Sequence, residues 1–361
     1  MMGLHRRVWE VERPFHGRVI REEVDLPRPE EVVVESEWGA VSPGSEYLVY
    51  SGAARQAMNL DAAARGIDGS SAYPLRYGYI LTGRVSFCGD RVDSDEWLGR
   101  RVYAFHSHAS HAVVPVDNLL LIPEDVSAEI APLYANAETA MSLHWDAGIL
   151  PGEAVVIIGA GIVGLLVAAI AQRSAAGCVV LVDSDERRRY WAEKYLQRGA
   201  GPDEGPRSLA DTTVEVVSSL DEANRTLLEY PGRYRGTYEG FDVGFELTGN
   251  AAMLDSAQGS LAFGGRIVVG SWYGDRGAEL HLGGRFHRSR VRLISSQVST
   301  IPLPVAGRID YARRSRIVWH MLTRLEPHQI ARRDIALDEL NELFTEISEG
   351  SRIEPWVAIR Y

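Results

Sequence analysis

The residues best placed to do chemistry are three glycines and one acid. Val155 to Ile158 run straight into Gly159-Ala160-Gly161-Ile162-Val163-Gly164, and an apolar helical pattern follows from Ile162 to Ala171. A second apolar run, Cys178 to Val182, ends at Asp183, nineteen residues after Gly164. Strand, glycine turn, helix, strand and acid, in that order, are the full context of a dinucleotide-binding fingerprint. Gly159 permits the tight turn, Gly161 lets backbone approach a pyrophosphate, and Gly164 lets the helix pack close on the strand. The helix N-terminus offers free N–H groups and partial positive charge to phosphates. A carboxylate at Asp183 accepts hydrogen bonds from the adenosine ribose and repels a 2′-phosphate, which favours NAD over NADP. Arg187, Arg188 and Arg189 follow it, either to hold a phosphate or as a solvated helix face.

Two further groups invite a chemical reading. His106, His108 and His111 stand close together, and His-x-His places two rings on one face of a strand. They read either as metal ligands or as solvated surface histidines. Trp272-Tyr273-Gly274 either lines an aromatic substrate pocket or packs. Lys194 is the only lysine among 38 basic residues, so Schiff-base chemistry has almost no candidate.

The elements that must position these residues alternate. Val155–Ile158, Cys178–Val182, Val214–Val217, Phe241–Leu247 and Arg266–Val269 read as strands. Helical patterns stand among them at 162–171, 185–196 and 251–262. This is the pattern of a doubly wound parallel sheet. The first 125 residues differ. Glu31–Val41 reads as a strand entering a loop, Gly78–Ser86 and Arg101–Phe105 as short strands, and 53–73 as a small-residue insertion. Their spacing suggests a barrel-like β domain. Ala131–Trp145 is helical in period, Leu337–Ser348 is one amphipathic helix, and Trp356–Tyr361 is a closing strand.

At 361 residues the chain is long for one core, so two domains are expected. A formal charge of −11 argues against nucleic acid as a partner, since that affinity rests on neutralising phosphates. Two cysteines, Cys88 and Cys178, imply no disulfide framework and fit a reducing cytoplasm. The N-terminus lacks an apolar signal core, and no apolar stretch is long enough to span a bilayer.

The succession of β domain, doubly wound domain and return segment resembles the medium-chain dehydrogenase/reductase superfamily. Pro123-Glu124-Asp125-Val126-Ser127, Glu138-Thr139-Ala140, Pro151-Gly152-Glu153, Asp242 to Gly249 and Gly264 to Gly270 carry the likeness along nearly the whole chain. The resemblance implies an α/β fold: a Rossmann domain over 130–299, and a β-rich GroES-like catalytic domain from 1–129 and 300–361. It adds Ile162, Val163, Ser184, Thr139, Thr248 and Gly270 to the cofactor set of Gly159, Gly161, Gly164 and Asp183.

The likeness breaks at the metal. Where the family's zinc members carry a cysteine, a histidine and a second cysteine, this chain has Pro43, Tyr79 and Ala135. The four-cysteine structural loop is absent too. Zinc wants Cys, His or carboxylate at each corner, so neither site is expected and metal ligands are expected to be none. Among zinc-free members, Ser42 to Glu46, Tyr73 to Tyr79 and Ser295 to Val298 resemble the bacteriochlorophyllide dehydrogenase-like subgroup. That subgroup covers many dehydrogenases often encoded near natural-product genes, which would fit a place in natural-product metabolism, and the likeness leaves the substrate open.

Without zinc, hydrogen-bond donors must surround the reacting oxygen and a base must take its proton. By the resemblance, Ser45 takes the proton-relay position, Tyr79 replaces a ligand, and His106 lines the substrate pocket as an acid or base near neutral pH. Glu138 precedes Thr139, whose counterpart touches the nicotinamide. Simpler roles stand beside these: Ser45 bonding its loop, Tyr79 filling space, Glu138 bracing its helix. The expected function is zinc-independent, NAD-linked hydride transfer with a secondary alcohol or ketone of a small molecule. The alternatives are an NADPH-linked enoyl or quinone reductase and a nucleotide-binding protein without turnover. The segment Glu279–Arg285 through Val291–Ser295 lies where the family pairs sheets between subunits, so a homodimer is expected.

Overall fold

The computed structural model describes residues 3–54, 72–197, 212, 214–230, 239–351 and 353–361. The insertion read at 53–73 lies mostly outside them. The chain divides into two compact units, Met1–Ala135 with Arg332–Tyr361, and Asn136–Ala331.

The first unit begins with a hairpin, β1 (His5–Arg13) and β2 (His16–Glu23). Five more strands follow: β3 (Glu31–Val41), β4 (Leu81–Cys88), β5 (Arg101–Ala104), β6 (His111–Pro115) and β7 (Leu119–Leu121). Alternation places Val32 and Val34 of β3 in one apolar cluster with Leu81, Val85, Val102 and Val114. The chain does not enter a loop after Val41. Pro43–Tyr50 is helical, with Pro43 in the first turn, where its missing N–H costs nothing.

The second unit carries a six-stranded parallel sheet: β8 (Ala154–Ile158), β9 (Cys178–Val182), β10 (Val214–Val217), β11 (Phe241–Glu246), β12 (Leu261–Val269) and β13 (Arg292–Ser295). Their spatial order is β10-β9-β8-β11-β12-β13. The order reverses between β8 and β11, the switch point where such sheets bind dinucleotides beyond the strand ends. Strands buried on both faces need unbroken apolar runs, which is how Val155–Ile158 and Cys178–Val182 read. β12 starts five residues earlier than its apolar run suggests, because Gly264 (φ +76°) and Gly265 interrupt the pattern without ending the pairing. The preceding helix shrinks to Met253–Gly259.

The return to the first unit comes at Arg332, not near 300. Helix Tyr311–Arg324 buries Val318, Trp319 and Leu322, Arg314 pairs with Glu138, and Tyr195 donates to the Leu325 carbonyl at 2.7 Å. All of these partners belong to the second unit. β14 (Arg332–Ala336) and β15 (Trp356–Arg360) then close the first unit's sheet in the order β14-β15-β3-β4-β5-β7, with β6 also on β3. Among the described residues no helix is long and apolar enough to cross a membrane.

Candidate functional site

In the second unit the glycine turn follows β8 as the sequence requires. Gly159 has φ +111°, and a Cβ there would meet the Leu247 carbonyl at 2.8 Å. A Cβ on Gly164 would stand 1.9 Å from the Gly159 oxygen, so the helix crosses the turn too closely for any side chain. Gly161 is different: an added Cβ would meet nothing within 4 Å. It opens helix Ile162–Arg173, whose start no side chain caps. Open space beside uncapped amides is what a pyrophosphate needs, so these residues fit a dinucleotide. Ile162 is buried and Val163 half-buried in the first turn.

Asp183 directly follows β9 and is already engaged. One carboxylate oxygen accepts the Ala160 N–H at 2.9 Å and the other the Asp185 N–H at 2.9 Å. It thus braces the glycine turn while leaving lone pairs for ribose hydroxyls. Arg188 lies 3.8 Å from it, and Arg189 donates to the Asp183 and Ser184 carbonyls. Ser184 itself is exposed. Thr139 is half-buried on helix Tyr134–Ala147. Gly270 leaves room for Leu247 and Leu143, whose side chains a Cβ would meet at 2.6 and 2.8 Å.

Thr248 brings out a residue that the sequence reading missed. Its N–H donates at 2.8 Å to Glu246, as does its hydroxyl, and the Tyr273 phenol donates to the other Glu246 oxygen. Glu246 is fully buried at the end of β11. Burial, and then the bond to Glu246, raises the Tyr273 phenol well above its ordinary range. The Tyr273 hydroxyl is therefore committed to holding the switch-point loops, not presented to an aromatic pocket. An acid inside the apolar run Val243-Gly-Phe-Glu246-Leu was the available signal.

Glu138 takes up the simpler of the two roles open to it. It is 6% exposed and paired with Arg314 at 2.9 Å, and Arg314 donates to the Val298 carbonyl at 2.7 Å. A carboxylate held this way braces its helix.

In the first unit the structure brings Ser45 and Tyr79 together. Ser45 sits in the first turn of helix Pro43–Tyr50, and its Oγ lies 3.1 Å from the Tyr79 hydroxyl. Both residues are half-buried. Tyr103 donates to the Tyr79 carbonyl at 3.2 Å, which anchors that backbone.

His106 cannot titrate near neutrality as the sequence suggested. Burial, with Arg6, His108 and Arg76 nearby, lowers its pKa to about 4, against the pull of its bond to Ser107. Nδ1 lies 2.8 Å from the Ser107 carbonyl, so the proton sits there and Nε2 is left as an acceptor. His108 is not a solvated histidine either. It is fully buried between Glu46 (2.9 Å) and the Tyr361 hydroxyl (3.3 Å). Among the described residues no three His, Cys, Asp or Glu side chains are grouped to hold a metal. Pro43 opens its helix and Ala135 is 5% exposed, and neither carries a donor side chain.

A parallel sheet in this order in one unit and a separate mixed sheet in the other make a two-domain α/β fold. No family model matches the chain. It is 32% identical over 196 residues to L-threonine 3-dehydrogenase from Vibrio parahaemolyticus serotype O3:K6, covering 53% of this chain and 50% of that one. The chain thus spans about half the length of the curated relatives it matches. Among solved structures it is similar to an alcohol dehydrogenase from E. coli CFT073 complexed with NADH. The TM-score is 0.73 at 16% identity, covering 99% of this chain and all of that one. A zinc-binding dehydrogenase from Sinorhizobium meliloti 1021 bound to NADP is as similar in fold, with TM-score 0.73, 18% identity and the same coverage.

Proposed function

We propose that this chain is a medium-chain dehydrogenase/reductase that oxidises a secondary alcohol, or reduces the ketone, of a small molecule with NAD(H) and without zinc. The observation that carries the reading is the Ser45–Tyr79 contact of 3.1 Å at a position where the zinc-dependent members place a ligand. A bound nicotinamide would accept or supply the hydride. The glycine turn and the start of helix Ile162–Arg173 would hold its pyrophosphate, and Asp183 its adenosine ribose. Either hydroxyl can donate to the other across 3.1 Å, and the pair would hydrogen-bond the carbonyl or alkoxide oxygen of the substrate. A donor aimed at developing negative charge is worth most where water is excluded. His106, proton on Nδ1, offers Nε2 as an acceptor for a substrate hydroxyl. Pro43 and Ala135 have nothing to give a zinc ion, and Tyr79 is bonded to Ser45, so the donor set does not fit the metal.

We also propose a homodimer. β13 is one of the sheet's two edge strands, and Leu293 on it is exposed. Such an edge pairs readily with its symmetry mate.

The test uses L-threonine and butane-2,3-diol as probe alcohols with NAD⁺, read at the nicotinamide absorbance band. Tyr79→Phe should lower turnover by roughly 10²–10³ while the NADH dissociation constant stays within about twofold. Full turnover by the Phe variant defeats the reading. So does about one zinc per chain with activity lost on chelation.

A further inference from the structure

His108 is 0% exposed, and its ring touches a neighbour of each member of the hydroxyl pair. Nε2 lies 2.9 Å from Oε2 of Glu46, the residue after Ser45. A Cβ on Gly78, the residue before Tyr79, would stand 2.5 Å from the ring's Cδ2. Gly78 has φ +114°, so its lack of a side chain serves both the backbone turn and the close approach of the imidazole. The other Glu46 oxygen accepts the Ser42 N–H at 2.7 Å, which ties the carboxylate to the start of the helix carrying Ser45. His108 is held in its turn by its own backbone, whose carbonyl accepts the Trp9 N–H at 2.9 Å.

Donors and acceptors place the imidazole proton. An ionised Glu46 only accepts, so Nε2 carries the hydrogen. The Ala109 N–H bonds the Tyr361 hydroxyl oxygen. The Tyr361 O–H is then free to donate to Nδ1 across 3.3 Å. Every partner is satisfied by one proton on the ring. A buried network complete in this way has one low-energy geometry, and removing a member strands the others.

We propose that His108 is the positioning residue of the Ser45–Tyr79 pair: hydrogen-bonded to Glu46 and packed on Gly78, its imidazole holds the two segments that carry the hydroxyls at hydrogen-bond distance. The inference rests on the proposed role of that pair. Ser45 and Tyr79 sit on a helix and on a glycine turn far apart in sequence, and a ring wedged against both adjacent residues sets their separation. Glu46 sets the ring's rotation, and Tyr361 locks it from the opposite side.

The experiment compares His108→Gln, His108→Phe and Tyr361→Phe by crystallography and by kinetics with L-threonine and butane-2,3-diol. His108→Phe keeps the bulk and loses the donor. It should carry Ser45 and Tyr79 out of hydrogen-bond distance and lower kcat by roughly 10–100-fold, since a misplacement of about 1 Å can cost 10². KM and the NADH dissociation constant should stay within about twofold. Gln has an amide nitrogen where Nε2 stood, so His108→Gln should restore most of the turnover and the contact. Should His108→Phe fail to fold, Tyr361→Phe, which removes one hydroxyl, should show the same separation with a several-fold loss of kcat. An intact Ser45–Tyr79 contact in whichever of these two variants folds overturns the proposal, whether or not the probes are turned over. So does a rise in KM or a fall in cofactor affinity with kcat unchanged. Full turnover by Tyr79→Phe would instead defeat the role of the pair and leave the positioning claim to the measured distance.

Discussion

Replacing Asp183 by serine should change which cofactor binds, and the size of the change follows from its surroundings. Its side chain is 10% exposed, so repulsion of a 2′-phosphate is only partly screened. The phosphate carries about −1.5 to −2 charges at neutral pH. With a separation of about 5 Å and an effective dielectric between those of surface pairs and bulk water, the repulsion is about 2 kcal/mol. Native protein should therefore bind NADH about thirtyfold more tightly than NADPH. Asp183→Ser removes that repulsion and frees Arg188, now 3.8 Å from the carboxylate, to face the phosphate. The preference should shrink to within about threefold or invert. The change has a cost, because the Ala160 and Asp185 N–H groups lose their acceptors at 2.9 Å. At about 1 kcal/mol each, the variant should unfold at lower denaturant and bind NADH less well. Calorimetric titration at two ionic strengths gives the check, since salt should narrow the native preference. Tighter NADPH than NADH binding by the native protein, or an unchanged ratio in the variant, would refute the electrostatic argument.

Other perturbations read out other parts of the molecule. His106 and His144 both titrate at about 4 when folded, against 6.5 for the free side chain, with burial as the largest cause in each. The unfolded chain then binds more protons between those values, so stability should fall as pH drops through 6.5 and level off below 4, by no more than about 2 kcal/mol per histidine between pH 7.5 and 5. Urea unfolding of His144→Gln should show a shallower pH dependence. Removing Glu138 strands the Arg314 charge, so Glu138→Ala should cost roughly 3–5 kcal/mol in unfolding experiments. Glu138→Gln should keep kcat, whereas a large loss of kcat in a stably folded Gln variant would restore Glu138 as a catalytic candidate. Light scattering at micromolar concentration should give a dimer mass, and Leu293→Arg on β13 should shift it toward the monomer; a monomeric native protein contradicts the edge-pairing argument.

What the sequence made legible was periodic or local. Val155–Ile158 and Cys178–Val182 are strands within one residue of their apolar runs, because a strand buried on both faces must be apolar throughout. At Gly159 and Gly164 a Cβ would meet backbone oxygens at 2.8 and 1.9 Å, whereas at Gly161 it would meet nothing within 4 Å. The hairpin β1–β2 went unread because its burial alternates beside charged residues at nearly every second position. Helix Pro43–Tyr50 was hidden by Pro-Gly, which signals a turn as readily as a helix start. The domain boundary moved because helix Tyr311–Arg324 is amphipathic, burying Arg314, Val318, Trp319 and Leu322, and its period marks a buried face without saying which unit covers it.

The hydroxyl pair and its imidazole mark where pattern reading stops. Ser45, Tyr79, His108, Glu46 and Tyr361 come from a helix, a glycine turn, the loop before β6 and the end of β15, and only the pairing of β15 with β3 brings the last of them near. In sequence, His108 looked interchangeable with His106 and His111, yet the three lie in different environments. His108 is sealed between a carboxylate and a phenol, whereas burial and a carbonyl at 2.8 Å hold His106 to a single tautomer. His111 lies within bonding distance of Ser110. Spacing cannot separate them, because the difference is made by partners 62 and 253 residues away. The sequence shows the loss of the ligand residues at Pro43, Tyr79 and Ala135, and only the fold shows which side chains meet there.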